Sequence, residues 1–299
     1  MEYTRLGRTD LIVSRLGFGG APIGGLYGRR VTEAQAVATI HRALDLGITF
    51  LDTAPLYGTG QSERFIGRAL ATYPGPRPIV ATKVGRVPAH FDYSYDMTLT
   101  SVEASLARLG LDYLPLVYLH AVHLAPSIQQ VLSPRGALGA LRRLQAEGVV
   151  GWVGAGTPDP IIADYIASGE IDVALVANCY DLLDRSAEAT ILPLAAERNV
   201  GVVIGGPYGT GILATGAVPG AKYKYRDAPP EILDRVRRYE RVCRDFGVSL
   251  KAVALRFCLR HPAVHAVIPG MASPQEVEAA VAAFDERVPD DLWAALVDR

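Results

Sequence analysis

Short β-branched and apolar runs alternate along this chain with segments whose apolar residues recur every three to four positions. The first kind reads as strands buried on both faces, the second as helices that cover them. Eight runs qualify as strands: residues 16–18, 49–52, 79–83, 116–120, 149–153, 173–176, 200–204 and 264–268. Between them lie helical segments with their own start signals, Thr32-x-x-Gln35, Thr100-x-x-Glu103 and Ser273-Pro274-x-Glu276, each able to form a capping box. In the first helix Ala36, Val37, Ile40, Ala43 and Leu44 fall on one face, and Gly47 supplies the stop. Residues 3–13 read as a short N-terminal β-hairpin. Alternating β/α units with no linker between them argue for an α/β fold, a closed (β/α)8 TIM barrel, and for one domain over residues 1–299, because a parallel sheet of this length buries its edges by closing. A doubly wound open sheet is the alternative. The lack of a GxGxxG after the first strand counts against it.

Composition narrows the partners. Of 299 residues, 49% are hydrophobic and 20% charged, enough apolar side chain for a large core. Net charge is −1 and neither sign gathers into a stripe, which argues against nucleic acid. The three cysteines, Cys179, Cys243 and Cys258, show no CxxC spacing and point to a reducing, cytoplasmic setting, with neither a disulfide framework nor a metal site. The first five residues carry no apolar run of the signal-peptide kind. Residues 200–221 are uncharged, but their seven glycines and two prolines argue against a membrane-spanning helix and read as loop.

In a barrel of parallel strands, reactive residues gather where the strands end. Asp52, Lys83 and His120 end the second, third and fourth runs, and Tyr57 follows Asp52 by five residues. Any one of them alone equally marks a strand meeting solvent. Together they form an acid/base set. A phenol titrates near pH ~10, too high for proton transfer at neutrality unless a cation stabilises its phenolate. Lys83 supplies that cation, Asp52 holds the ammonium, and His120 orients a substrate oxygen.

The residues around these positions resemble the aldo-keto reductases. Phe50-Leu51-Asp52-Thr53-Ala54-Pro55-Leu56-Tyr57-Gly58-Thr59-Gly60-Gln61-Ser62-Glu63 is similar to that family's signature around its aspartate and tyrosine. Ala81-Thr82-Lys83 resembles its lysine strand, and Asp112-Tyr113-Leu114-Pro115-Leu116-Val117-Tyr118-Leu119-His120 its histidine strand. The likeness runs from Leu6-Gly7-Arg8-Thr9 to Val267-Ile268-Pro269-Gly270. It implies a metal-free Tyr57, Lys83, Asp52 and His120 tetrad and hydride exchange with a nicotinamide dinucleotide. Two segments depart from the family pattern. Ala121-Val122-His123 stands where many members carry an acidic residue and proline, so the substrate mouth differs. Gly154-Ala155-Gly156-Thr157 replaces the more usual Gly-Val-Ser-Asn, which passes the polar contact with the nicotinamide amide to Asn178. A turn-forming role is the alternative for Asn178.

The cofactor's diphosphate is expected along the loop Gly205-Gly206-Pro207-Tyr208-Gly209-Thr210-Gly211 after the seventh strand, where glycines let N–H groups approach phosphate oxygens. The family places the adenosine ribose at the last loop and helix start, here Gly270, Met271, Ser273 and Glu276. A 2′-phosphate wants arginine or lysine there, yet residues 270–283 contain neither, and Glu276 is a carboxylate. NAD is therefore favoured over NADP, whether Glu276 accepts ribose hydroxyls or closes the capping box with Ser273.

Further segments resemble the aldose 1-dehydrogenase branch, which includes the L-galactose, L-fucose and D-threo-aldose dehydrogenases: Gly20-Ala21-Pro22-Ile23-Gly24, Lys83-Val84-Gly85-Arg86 with Phe91-Asp92-Tyr93-Ser94, Tyr180-Asp181-Leu182-Leu183-Asp184, and Gly205-Gly206-Pro207-Tyr208. That branch oxidises the C1 hydroxyl of a pyranose to a lactone. Tyr27, Tyr93 and His123 are candidates to stack on the sugar and bond its hydroxyls. A general aldehyde, ketone or pyridoxal oxidoreductase uses the same scaffold. So do non-catalytic regulatory subunits, against which the intact tetrad argues.

Overall fold

The computed structural model describes residues 1–87 and 90–297. Among these, eight parallel strands form one sheet in chain order: β1 (Phe18–Gly19), β2 (Phe50–Asp52), β3 (Ile79–Val84), β4 (Leu114–His120), β5 (Val150–Thr157), β6 (Val173–Ala177), β7 (Gly201–Gly205) and β8 (Val264–Ile268). Parallel bridges Leu16↔Val267 and Gly19↔Gly270 bring the two ends of the sheet together and close the barrel. Helices including α1 (Glu33–Asp45), α2 (Gln61–Thr72) and α3 (Tyr95–Leu109) wrap the outside. No helix among the described residues is long and apolar enough to cross a membrane.

Alternation along each strand divides the apolar residues into two layers. Phe50, Ala81, Leu116, Tyr118, Val203 and Ala266 fill the barrel interior, while neighbours such as Leu51, Val80 and Val117 pack outward beneath the helices. The N-terminal hairpin, Tyr3–Arg5 paired antiparallel with Ile12–Ser14, floors the barrel, with Leu6 and Val13 fully buried in the interior cluster. Gly7 makes that docking possible. Its φ is +55°, and a Cβ there would lie 2.2 Å from Gly201 N.

Local sequence decides most boundaries. Thr32 caps α1 by accepting from Gln35 N, as the capping box predicts, and Ser273 caps the helix Pro274–Asp285 by accepting from Glu276 N. Thr100 does not start a helix. Ser94 accepts from Met97 N and begins α3 six residues earlier, leaving Thr100 inside it with its hydroxyl on Asp96 O. Strand β5 runs on through Gly154 to Thr157 rather than ending at residue 153. Gly154 pairs with Tyr118, whose inward ring takes the space its own side chain would need: a Cβ at 154 would sit 2.5 Å from that ring. In the stretch 200–221, Gly201–Gly205 is the seventh strand, as its apolar run predicts, and the part read as loop beyond it holds a short helix, Ile212–Thr215.

Candidate active site

The same alternation carries three polar side chains to the upper end of the barrel interior. Asp52 follows Phe50 by two residues, Lys83 follows Ala81, and His120 follows Tyr118, so each shares the inward direction of a core neighbour. Lys83 Nζ donates to Asp52 Oδ1 at 2.6 Å and to Thr53 O at 2.8 Å. The pair is almost dry, its side chains 1% and 3% exposed. Tyr57, on the loop after β2, lies with its ring centroid 4.9 Å from that Nζ and meets the His120 ring edge-on, centroids 6.1 Å apart at 87°. Asp52 Oδ2 and His120 Nδ1 are buried with no hydrogen-bond partner among the described residues.

Burial governs the titration of all four groups. It pulls the Lys83 ammonium below the ordinary lysine range, opposed by Asp52 and Glu63, and lifts the Asp52 carboxyl, opposed by Lys83. It pushes the Tyr57 phenol well above 10, helped by Asp52 and Tyr225, while Arg86 pulls the other way. His120 is driven well below 6.5 by burial and then by the nearby charges of Lys83, Arg86 and His123. At neutral pH His120 is therefore an uncharged imidazole, able to donate one hydrogen bond and accept another.

Above this group opens a cleft of about 570 Å³, lined by Asp52 and Tyr57 at its base, by the loop 205–211 along one wall, and by Ile268, Pro269 and Gly270 along another. Its glycine-rich lining fits an anionic cofactor, whose oxygens backbone N–H groups can approach. Gly206 and Gly211 take φ of +71° and +107°, and a Cβ at 206 would strike Asn178 Oδ1 at 2.6 Å. The Tyr208 hydroxyl and Thr210 Oγ1 in this loop are buried without partners among the described residues.

A sequence model described as "Aldo/keto reductase family" matches residues 15–298. The chain belongs to the aldo/keto reductase family. It is 34% identical to a pyridoxal 4-dehydrogenase of Microbacterium luteolum, over 99% of this chain and 96% of that one. It is also 34% identical to an L-galactose dehydrogenase of Arabidopsis thaliana, over 96% of this chain and 89% of that one. The holo form of the aldo-keto reductase AKR11C1 from Bacillus halodurans superposes with a TM-score of 0.83 at 30% identity, over 99% of this chain and 95% of that one. Aldo/keto reductases use nicotinamide cofactors, which suits the cleft.

On this aldo/keto reductase scaffold the remaining candidate residues divide. Asn178, Gly206, Pro207, Tyr208, Gly211 and Gly270 line the cleft. Asn178 also makes a turn: its φ is +54°, its N–H donates to Gly205 O, and its Nδ2 donates to the Tyr225 hydroxyl at 3.2 Å. Gly209 is buried beside the cleft, and Met271 is 2% exposed with its side chain in the core, so neither faces the cleft. Ser273 spends its hydroxyl on the helix cap. Glu276 accepts from Ala272 N at 2.7 Å and from Arg29 at 2.7 Å. Tyr27 stands at the mouth, stacked on Tyr225 at 5.4 Å and 9°. His123 is half-buried, its Nδ1 2.7 Å from Thr157 Oγ1. Tyr93, expected at the substrate, is instead 3% exposed and hydrogen-bonded to backbone.

Three residues to which the sequence alone assigns no role matter here. Arg29 comes from the first loop to the start of the helix Pro274–Asp285, so a cation does stand there, already neutralised by Glu276. Tyr225 sits at the tip of a small hairpin, Lys222–Tyr223 with Arg226–Asp227, which places it on Tyr27 and Asn178. Arg86, three residues past Lys83, acts electrostatically on both Tyr57 and His120. The first two arrive from sequence-distant loops. Arg86 alone had a local signal, a cation just beyond a strand end.

Proposed function

We propose that this protein oxidises the C1 hydroxyl of an aldose of L-galactose, L-fucose or D-threo-aldose type to a lactone, with NAD as acceptor, using Tyr57, Lys83, Asp52 and His120. The observation that carries the chemistry is the buried Lys83–Asp52 pair beneath Tyr57, opposite an uncharged His120. The named activity of the Arabidopsis relative supports the aldose class.

Tyr57 takes the proton of the C1 hydroxyl. The guanidinium of Arg86 favours the phenolate that this requires, against burial and the nearby Asp52 and Tyr225, and the Lys83 ammonium 4.9 Å from the ring centroid places a second positive charge beside it. Asp52 keeps the ammonium in place, and His120 donates a hydrogen bond to the reacting oxygen. A bound nicotinamide dinucleotide would supply the acceptor for the hydride that leaves C1. Carbon C1 thus loses one hydride and its oxygen one proton, and a C=O bond forms. Gly206, Gly211 and Asn178 would hold the cofactor's diphosphate and amide, and Gly270 its ribose end.

NAD is favoured by Glu276. Its carboxylate already occupies the Ala272 N–H and the Arg29 guanidinium, the groups that a 2′-phosphate would otherwise engage.

A second reading, pyridoxal oxidation, is favoured by the Microbacterium relative and by the aromatic Tyr27–Tyr225 pair at the mouth. The two readings share one chemistry, because pyridoxal, with a hydroxymethyl beside its aldehyde, closes to a cyclic hemiacetal as an aldose does. The test follows NADH formation over a panel of aldoses and pyridoxal, with products identified by mass. Fast turnover of a galactose-configured sugar supports the first reading. Turnover of pyridoxal alone favours the second, and aldehyde reduction with neither refutes both.

A further inference from the structure

The structure assigns Tyr93 a positioning role: we propose that its buried hydroxyl fixes the backbone of His120 and Ala121, and through it the pose of the His120 imidazole. This rests on the reading of His120 as the group that orients the substrate oxygen. The Tyr93 hydroxyl donates to His120 O at 2.6 Å, with Ala121 O at 3.0 Å. One O–H carries one proton, so the shorter bond dominates. These carbonyls lie where β4 breaks off. Ala121 takes φ of +54°, a left-handed conformation that a non-glycine residue keeps only when its surroundings hold it. Ala121 N–H donates to Gly156 O at 2.7 Å, so the turn is held from β5 on one side and by Tyr93 on the other.

Tyr93 is tied just as closely to the lysine strand. Gly85, two residues after Lys83, has φ of +91°, and a Cβ there would lie 2.3 and 2.4 Å from Cε1 and Cδ1 of the Tyr93 ring. Only glycine leaves room for that ring. A continuous contact path therefore runs from the strand end bearing Lys83, through Gly85 and Tyr93, to His120. Tyr93 is 3% exposed and its hydroxyl is spent on the His120 and Ala121 carbonyls, so it acts through His120 rather than on the substrate.

Tyr93→Phe keeps the ring on Gly85 and removes the hydroxyl. With the fastest substrate of the panel, kcat should fall about tenfold, the loss expected for one hydrogen bond of ~1.4 kcal/mol, while NAD affinity stays as in the parent. The same substitution in a His120→Ala background should change kcat by less than about twofold, since the group it positions is gone. Gly85→Ala should reproduce the Tyr93→Phe loss and add nothing to it in combination. Without substrate, the imidazole nitrogen resonances of His120 should move in Tyr93→Phe while those of His265 stay in place. A parent-like kcat for Tyr93→Phe, losses that multiply in the His120→Ala background, or unmoved His120 resonances would each overturn the proposal. A parent-like kcat for His120→Ala would instead sink the reading of His120 itself.

Discussion

Replacing Lys83 with methionine separates what the buried pair does for the fold from what it does for chemistry. Methionine fills similar space, so little cavity forms. What remains is an Asp52 carboxylate, 3% exposed, without its counter-ion, and a Thr53 carbonyl without its donor. Breaking a buried pair from one side costs about 3–5 kcal/mol and the orphaned carbonyl about 1 more. The sum, about 4–6 kcal/mol, is a large share of the ~5–15 kcal/mol by which domains are stable. The cost must depend on pH. Burial already lifts the Asp52 carboxyl above 3.8, and loss of Lys83 removes the opposing charge. A folded pKa raised above the unfolded one penalises the fold at high pH, and the penalty disappears as pH falls towards 3.8. Adding Asp52→Asn removes the charge altogether and should restore most of the stability at neutral pH. Urea unfolding followed by tryptophan fluorescence, at neutral and acid pH, measures all three proteins. A Lys83→Met protein within ~1 kcal/mol of the parent at every pH, or a double variant no more stable than the single, would refute the electrostatic account. Both variants should remain slow, since neither restores a cation beside Tyr57. Recovered turnover in the double variant would remove Lys83 from the mechanism.

Other predictions are independent of that one. Tyr57→Phe should lower kcat by at least ~10²-fold with NAD affinity nearly intact, and parent-like turnover would end its role as proton acceptor. The parent should prefer NAD to NADP by kcat/KM, and Glu276→Gln should release Arg29 from its ion pair, while keeping an oxygen for Ala272 N, and shift the preference towards NADP by ~1–3 kcal/mol. An unshifted ratio would show that this helix start does not read the ribose. Asp181 is buried with its carboxyl raised to about 6 from 3.8, so its ionised form costs stability above pH 6. Asp181→Asn keeps an oxygen for Leu183 N and Asp184 N and should stabilise the protein at pH ~8 by up to about 3 kcal/mol, the gain disappearing below pH ~4. Equal stability at pH ~8 would show that the parent carboxylate bears no such cost.

The strands were legible as short continuous apolar runs, and the convergence of Asp52, Lys83 and His120 because each ends such a run; the structure adds that each lies two places after an inward apolar residue and so shares its direction. The fate of Tyr93 was not legible. Periodicity shows that a tyrosine lies near a strand end, but only the turn at Gly85 decides that its ring goes under the site. Ser94 escaped notice as a cap because no glutamate follows three residues later, while Thr100-x-x-Glu103 satisfied the pattern inside a helix already under way. The absence of cations in 270–283 was read correctly, yet it said nothing of Arg29, some 240 positions earlier in the chain and held against Glu276 only by the closing of the barrel.

That closing seam has a consequence for biosynthesis. The first strand finds its second neighbour only at Val267 and Gly270, so the ring cannot seal until almost the whole chain has left the ribosome. Joining ends about 250 residues apart carries a loop-closure cost of about 5 kcal/mol if nothing between is ordered, and far less once the intervening β/α units have folded and brought the ends close. Until then β1 and β7 are bare edges, with unpaired amides facing outward and able to pair with another nascent chain. Growth conditions that slow translation through residues 205–270 prolong that open state, and chaperone demand during expression should rise with the length of the pause.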